Sequence, residues 1–403
     1  MSASTSGQRF ADYFAVCGLD AVTGLEPDQL SGDSHHVSPL ERSYKAKVLS
    51  HFPANVDWNP FDEDAVRMLS FPHGLTFRTQ AEPHSPSLHS FLITREDGSR
   101  VYGCALTVYE VVDEEEICKA MQVLQSMHEA ELHMARSKTK ARSQSPVVIT
   151  GADSPTKRAT EVDSEYTQEV EMSNRKTFDM KKDTLMVSKC ISIIMPLPFI
   201  TAAMSYLQQI YHAAKTADLP LPLESYIYNL LYEVPLPPPG RTMRFNCVKE
   251  SITCQRPGPN ELPLFDYSLK EMFSWLGVEN VVELFTCVLL EHQILLLSNS
   301  FHRFMLVAEG VVTLIFPFIW QHVYVPILPA ALQHFLDAPV PFIMGLYCAS
   351  EDFKANLQLP SEASLCLVDI DNCKVLSPED LPEFPNKQDL IEELLETIEK
   401  FNI

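Results

Sequence analysis

The residues whose types suit catalysis or metal binding stand at spacings that defeat both. His128-Glu-Ala-Glu-Leu-His133 resembles a zinc-binding helix, but its histidines are five positions apart rather than four. At about 100° per residue the two rings point roughly 140° apart, so the pair reads as a solvated helix face. His35-His36 has no matching Cys or His cluster and reads as loop surface. Asp369 and Asp371 would share a face if one strand ran through both. A satisfied turn at Asp371-Asn372 is the plainer reading. The sequence has no GxSxG, GxGxxG or GxxxxGK[ST], and none of its 13 glycines falls at GxG spacing. Such a chain is poorly equipped to wrap a phosphate in bare backbone. No nucleotide, cofactor, metal or catalytic residue is expected. Trp320 and Phe318, beside Pro317, read as core aromatics, with a partner anchor as the alternative if they are exposed.

Composition narrows the class. A length of 403 residues suggests two or three domains. The net charge of -22, from 53 acidic and 31 basic residues, disfavours a nucleic-acid binder, which needs a basic face. The 10 cysteines are scattered without a CxxC, and most lie in apolar runs. They read as reduced, buried thiols of a cytoplasmic protein. No signal peptide is expected. No apolar run reaches the roughly 18–20 residues a membrane helix needs.

Whatever function exists must rest on the elements. The stretch from Glu291 to Tyr347 alternates strand and helix. Ile294–Leu297 is a fully apolar strand, Phe304–Phe316 is helical, and Tyr324–Leu328 and Pro341–Tyr347 are further strands around a short helix at Ala330–Leu336. Ser364–Ile370 adds one more. Alternation of this kind predicts a parallel sheet with helices on its faces. Upstream, Phe10–Gly18 reads as a strand, residues 20–45 as a loop and His51-Phe52-Pro53 as the start of an irregular segment. Ser90–Thr94 and Arg100–Val112 flank an Asp-Gly turn and predict a hairpin. Asp113–Arg136 has helical spacing. The N-terminal region therefore reads as a small α+β module on an antiparallel sheet. Residues 137–183 are polar, charged and nearly free of large apolar groups, which predicts a disordered insertion. Ser145 and Ser154, each before a proline, are candidate phosphorylation sites there, with an inert linker as the alternative. The second module is expected to start near Leu185. The last helix, Asp389–Phe401, shows an apolar face for which the sequence suggests no partner.

Several motifs resemble the DENN domain. Glu291-His-Gln-Ile-Leu-Leu-Leu-Ser298, Pro317-Phe-Ile-Trp320, Pro326-Ile-Leu-Pro329 and Pro339-Val-Pro-Phe-Ile-Met-Gly345 look like its central block. Phe10-Ala-Asp-Tyr-Phe14, Phe71-Pro-His-Gly74 and Gly98-Ser-Arg-Val-Tyr-Gly103 look like its upstream block. Within the family the chain looks most like the class 5 Rab-interacting group, which carries RUN and PLAT domains. The resemblance implies a longin-like upstream module at 10–136, the insertion at 137–183, and an α/β central DENN module with a mainly parallel sheet at 184–403, without the downstream DENN block. It also implies a guanine-nucleotide exchange factor for a Rab-family GTPase, with no covalent catalysis of its own. The alternatives are a Rab-binding scaffold without exchange activity and, less favoured, a GTPase-activating protein using Arg95 or Arg100. A cytoplasmic location is expected, with peripheral association on Golgi or endosomal membranes. Partners of open α/β sheets gather at the carboxyl ends of strands. The expected GTPase-binding residues are therefore Ser298, Asn299, Ser300, Arg303, Gln321, His322, Asp371 and Asn372.

Overall fold

Two sheets share one core. The computed structural model describes residues 9–31, 37–95, 97–143, 176–216, 219–349, 351, 354, 357 and 365–401. The elements begin with β1 (Tyr13–Gly18), β2 (Lys47–Phe52), α1 (Glu63–Ser70), β3 (Phe77–Thr79), β4 (Ser87–Thr94), β5 (Arg100–Val111), α2 (Glu115–Ser143) and β6 (Leu185–Met195). Next come α3 (Ile200–Ala214), α4 (Leu223–Tyr228), β7 (Arg241–Asn246), β8 (Ser251–Arg256), α5 (Leu269–Leu276) and α6 (Val278–Leu289). The chain continues with β9 (Gln293–Ser298), α7 (Phe301–Leu314), β10 (Val323–Leu328), β11 (Phe342–Tyr347), β12 (Leu365–Asp369), β13 (Lys374–Leu376) and α8 (Lys387–Phe401).

The first sheet is antiparallel, in the order β2-β1-β6-β5-β4, with β3 also pairing β6. The expected hairpin is there: Gly98 takes a φ of 79°, which closes the β4–β5 turn. Helix α1 starts where Asp62 accepts a hydrogen bond from the Ala65 N–H, and it buries Val66 and Leu69. The second sheet has the order β10-β11-β9-β12-β13. Strands β9 to β12 are parallel and β13 is antiparallel. The apolar run Ile294–Leu297 lies at its centre, buried throughout. Both modules have the fold class that the sequence predicts.

Three expectations need correction. Strand β6 stands where the second module is expected to start, yet it pairs within the first sheet. It lies between β1 and β5, with Cys17 opposite Cys190 and Cys104 opposite Ile193. An apolar strand following a long insertion carries no local mark of the sheet it will join. Strand β2 starts just past the expected loop at residues 20–45 and runs into the segment expected to be irregular from His51. Its side chains are all exposed or half-buried, so it lacks an apolar alternation and is held by backbone pairing to β1. The apolar face of α8 is not orphaned: Ile391, Leu390, Leu394 and Ile398 pack with Val278 and Val282 of α6. Ser145, Ser154 and His35-His36 lie outside the described residues, as does most of the insertion.

A continuous core runs from Tyr13 and Phe91 in the first module to Met305 and Ile343 in the second. At this joint Glu309 of α7 is almost fully buried. Tyr324 O–H donates to its carboxylate at 2.6 Å, and the Arg100 guanidinium lies 4.5 Å over the Tyr324 ring. Burial raises the Glu309 carboxyl above its ordinary value, against the Tyr324 hydrogen bond and Arg100, which favour the ionised form. The unfolded chain releases this proton near 4.5 and the folded chain only at higher pH. Folding stability is therefore lost as pH rises from 4.5 through the folded value. Glu309→Gln keeps an acceptor for Tyr324 and has no proton to lose. Denaturant unfolding across this range should show a flatter stability profile for Glu309→Gln, with no loss at pH 7. A steeper profile would contradict the assignment.

Candidate functional site

Parallel pairing places the ends of β9, β11 and β12, at Ser298, Tyr347 and Asp369, on one edge of the second sheet. There Asp371 collects donors from three residues of one stretch, the end of β9 and the start of α7. Ser298 Oγ donates to its Oδ1 at 2.8 Å, the Asn299 N–H to Oδ2 at 2.8 Å, and Arg303 Nη1 to Oδ1 at 2.6 Å. The Ser300 N–H donates to Ser298 Oγ at 3.1 Å. Asn372 Nδ2 donates to Asp369 Oδ2 at 2.8 Å and to both Glu351 oxygens at 3.2 Å. Lys354 Nζ lies 2.8 Å from Asp369 Oδ1 and 3.7 Å from Asp371 Oδ2. Burial pushes the Asp369 carboxyl up, but hydrogen bonds from Lys354 and Asn372 outweigh it and hold the group below its ordinary value. Ser298, Asn299, Ser300, Arg303, Asp371 and Asn372 therefore form one knot.

Gln321 and His322 are not part of it. They precede β10, at the amino ends of the strands, where His322 Nε2 lies 3.1 Å from Glu291 Oε1, just ahead of β9. Their place just ahead of the strand expected at Tyr324–Leu328 already puts them at its amino end. Nearby, Trp320 is buried and donates from Nε1 to the Val323 carbonyl at 3.2 Å, while Phe318 is 69% exposed. The core reading holds for the first ring only. Three contributors to the knot escaped sequence reasoning. Lys354 and Glu351 come from the connection between β11 and β12, which shows no periodicity. Trp275 of α5, whose ring centroid is 5.0 Å from the Arg303 guanidinium carbon, carries no spacing signal that ties it to Arg303.

The knot borders the first module. Asn299, Ser300, Phe301 and His302 share a cleft of about 450 Å³ with the Phe71–Gly74 loop, His89 and Tyr109. The edge thus offers a surface built from both modules. Its polar groups hold one another in place, and nothing in the arrangement pairs a nucleophile with a base. Among the described residues no group of three or more His, Cys, Asp or Glu side chains could hold a metal ion. His128 instead meets Arg42, whose Nη2 lies 3.3 Å from His128 Nδ1. Arg95 Nη1 donates to the Trp58 carbonyl at 3.3 Å. With Arg100 stacked on Tyr324, both arginines of the hairpin have structural employment.

Comparison with known families agrees with this architecture. The family model of the DENN (AEX-3) domain matches residues 186–373, and that of the uDENN domain matches residues 46–108. The chain therefore carries a uDENN domain followed by a DENN domain, and the whole knot falls within the latter. Among curated proteins, the chain is 31% identical over 202 residues to the DENN domain and WD repeat-containing protein SCD1 of Arabidopsis thaliana. That match covers 50% of this chain and 17% of the relative, so the chain spans only a small part of the relative's length.

Proposed function

We propose that this chain is an exchange module for a Rab-family small GTPase, bound across the two modules at the carboxyl edge of the second sheet. The observation that carries the reading is the pairing of uDENN and DENN domains, since DENN domains generally act as Rab exchange modules. The knot supports it. An exchange factor needs a rigid surface that favours the nucleotide-free GTPase over the GDP-bound form, and by linkage GDP then binds the complex more weakly. A thousandfold acceleration requires only about 4 kcal/mol of preferential stabilisation of the exchange transition state. The residues assigned to GTPase contact are Ser298, Asn299, Ser300, Arg303, Asp371 and Asn372. Gln321 and His322, at the far edge, leave the set.

The finer assignments belong to the same proposal. On its insertion and its N-terminal wording, the chain is placed nearest the class 5 group with RUN and PLAT domains. Its site of action is a cytoplasmic membrane surface, Golgi or endosomal, in membrane trafficking. A second reading, GTPase binding without exchange, draws on the same knot, because groups so fully satisfied by one another suit a passive platform. A pull-down with a panel of Rab proteins separates the two. Preferential retention of a nucleotide-free Rab supports exchange. Equal retention of the GDP- and GTP-bound forms supports the passive platform.

A further inference from the structure

The cleft beside the knot gathers histidines from distant parts of the chain. His73 comes from the turn after α1, His89 from β4 and His302 from the first turn of α7. The His73 ring stands 3.7 Å from Tyr347 and 4.9 Å from Phe301, centroid to centroid, and His89 stands 5.7 Å from Phe301. Two of the three belong to the first module, and Phe301 and Tyr347, which they meet, belong to the second. His89 Nε2–H donates to the Leu69 carbonyl at 2.9 Å. His73 Nε2 and His302 Nδ1 are buried without a hydrogen-bond partner.

We propose that this histidine seam is a proton-sensitive joint, at which acidification loosens the docking of the first sheet on α7 and β11. Glu271 of α5 lies 3.8 Å from His302 Nε2 and favours its protonation, whereas Arg303 on α7 opposes it. Asp371 lies near Tyr347 but is engaged by Arg303 and Ser298. Arg78 of β3 is spread over the Tyr109 ring at 4.3 Å. Asp28, packed against Gly74, accepts from the Leu30 N–H and Ser31 Oγ; among the described residues no carboxylate is paired with His73 or His89, which instead repel one another when charged. Burial accordingly pushes both imidazoles down to about 4, and lowers His302 as well. An opened seam restores ordinary imidazoles, near 6.5. The docked form thus binds fewer protons. Its advantage is complete above about 6.5 and is lost as pH falls from there toward 4, up to tenfold per pH unit for each proton taken up.

This joint is independent of whether the chain acts on a GTPase. It is tested on the full chain by hydrogen exchange, corrected for intrinsic rates, at the amides of residues 71–76 and 299–304. Between pH 6.5 and 5.0 the opening constant should rise about fifteenfold for one proton and more for two. The double variant His73→Asn, His89→Gln should lose most of that rise, while His334→Gln, outside the seam, keeps it. Equal pH dependence in the parent and the double variant overturns the proposal. Should the variant fail to fold, proton NMR of the parent's histidines decides. Titration of His73 and His89 well below 6.5 supports the joint, and titration near 6.5 overturns it.

Discussion

Asp371→Ala should destabilise the chain by about 2–3 kcal/mol and disable the proposed binding edge. The carboxylate is the common acceptor of Ser298, Asn299 and Arg303, and Lys354 stands 3.7 Å away. Removing one partner of a mostly buried pair leaves the other charge uncompensated, which costs about 3–5 kcal/mol when burial is complete. Arg303 is 32% exposed and can turn partly toward water, which lowers the expected figure. Asp371→Asn keeps an oxygen acceptor but no charge, so it should fall between Ala and the parent. Urea unfolding gives the ordering. If the edge is the GTPase contact, exchange stimulation should fall at least tenfold at temperatures where Asp371→Ala remains folded. A variant with full stability and full stimulation would remove the knot from the account.

Gly345→Ala should cost about 3 kcal/mol. Gly345 lies in β11, between β10 and β9. A Cβ there would stand 2.1 Å from the Pro326 carbonyl oxygen and 3.0 Å from the Phe304 ring. The first obstacle is backbone, so relief requires moving β10 away from β11 at the irregular register between Val325 and Leu328. Gly98→Ala provides the contrast. Its Cβ meets nothing within 4 Å, and its cost comes only from a φ of 79°, about 1 kcal/mol. Thermal or denaturant unfolding of the two variants should separate steric exclusion from backbone strain. Equal losses would mean that the sheet yields at Gly345 more readily than its packing implies.

How much of this was legible in the sequence depended on whether the information was local. The run Ile294–Leu297 announces a strand buried on both faces, and Asp97-Gly98 announces a turn, because each signal lies within a few residues. The allocation of β6 to the first sheet was hidden, since it depends on pairings with Cys17 and Cys104, far away in sequence. Edge strand β2 was hidden for the opposite reason: half-exposed on every side, it needs no apolar pattern. The carboxyl-end rule picked out six residues that the fold does bring together, whereas Gln321 and His322 lie at the other end because they precede their strand. Lys354 could not be found from its own neighbourhood. Its role arises from the turn that carries Asp369 and Asp371, and only the fold brings the two together. The same holds for the histidine seam, whose members show no common motif.

The most direct test of the account is GDP release. Rab proteins loaded with a fluorescent GDP analogue are mixed with this chain in excess unlabelled nucleotide, and the release rate is followed for each. The account predicts that at least one Rab releases GDP about a hundredfold or more faster, and that Asp371→Ala removes most of the gain. Unchanged release from every Rab, with a chain that unfolds cooperatively and still retains a Rab in pull-down, would contradict exchange and leave the passive platform.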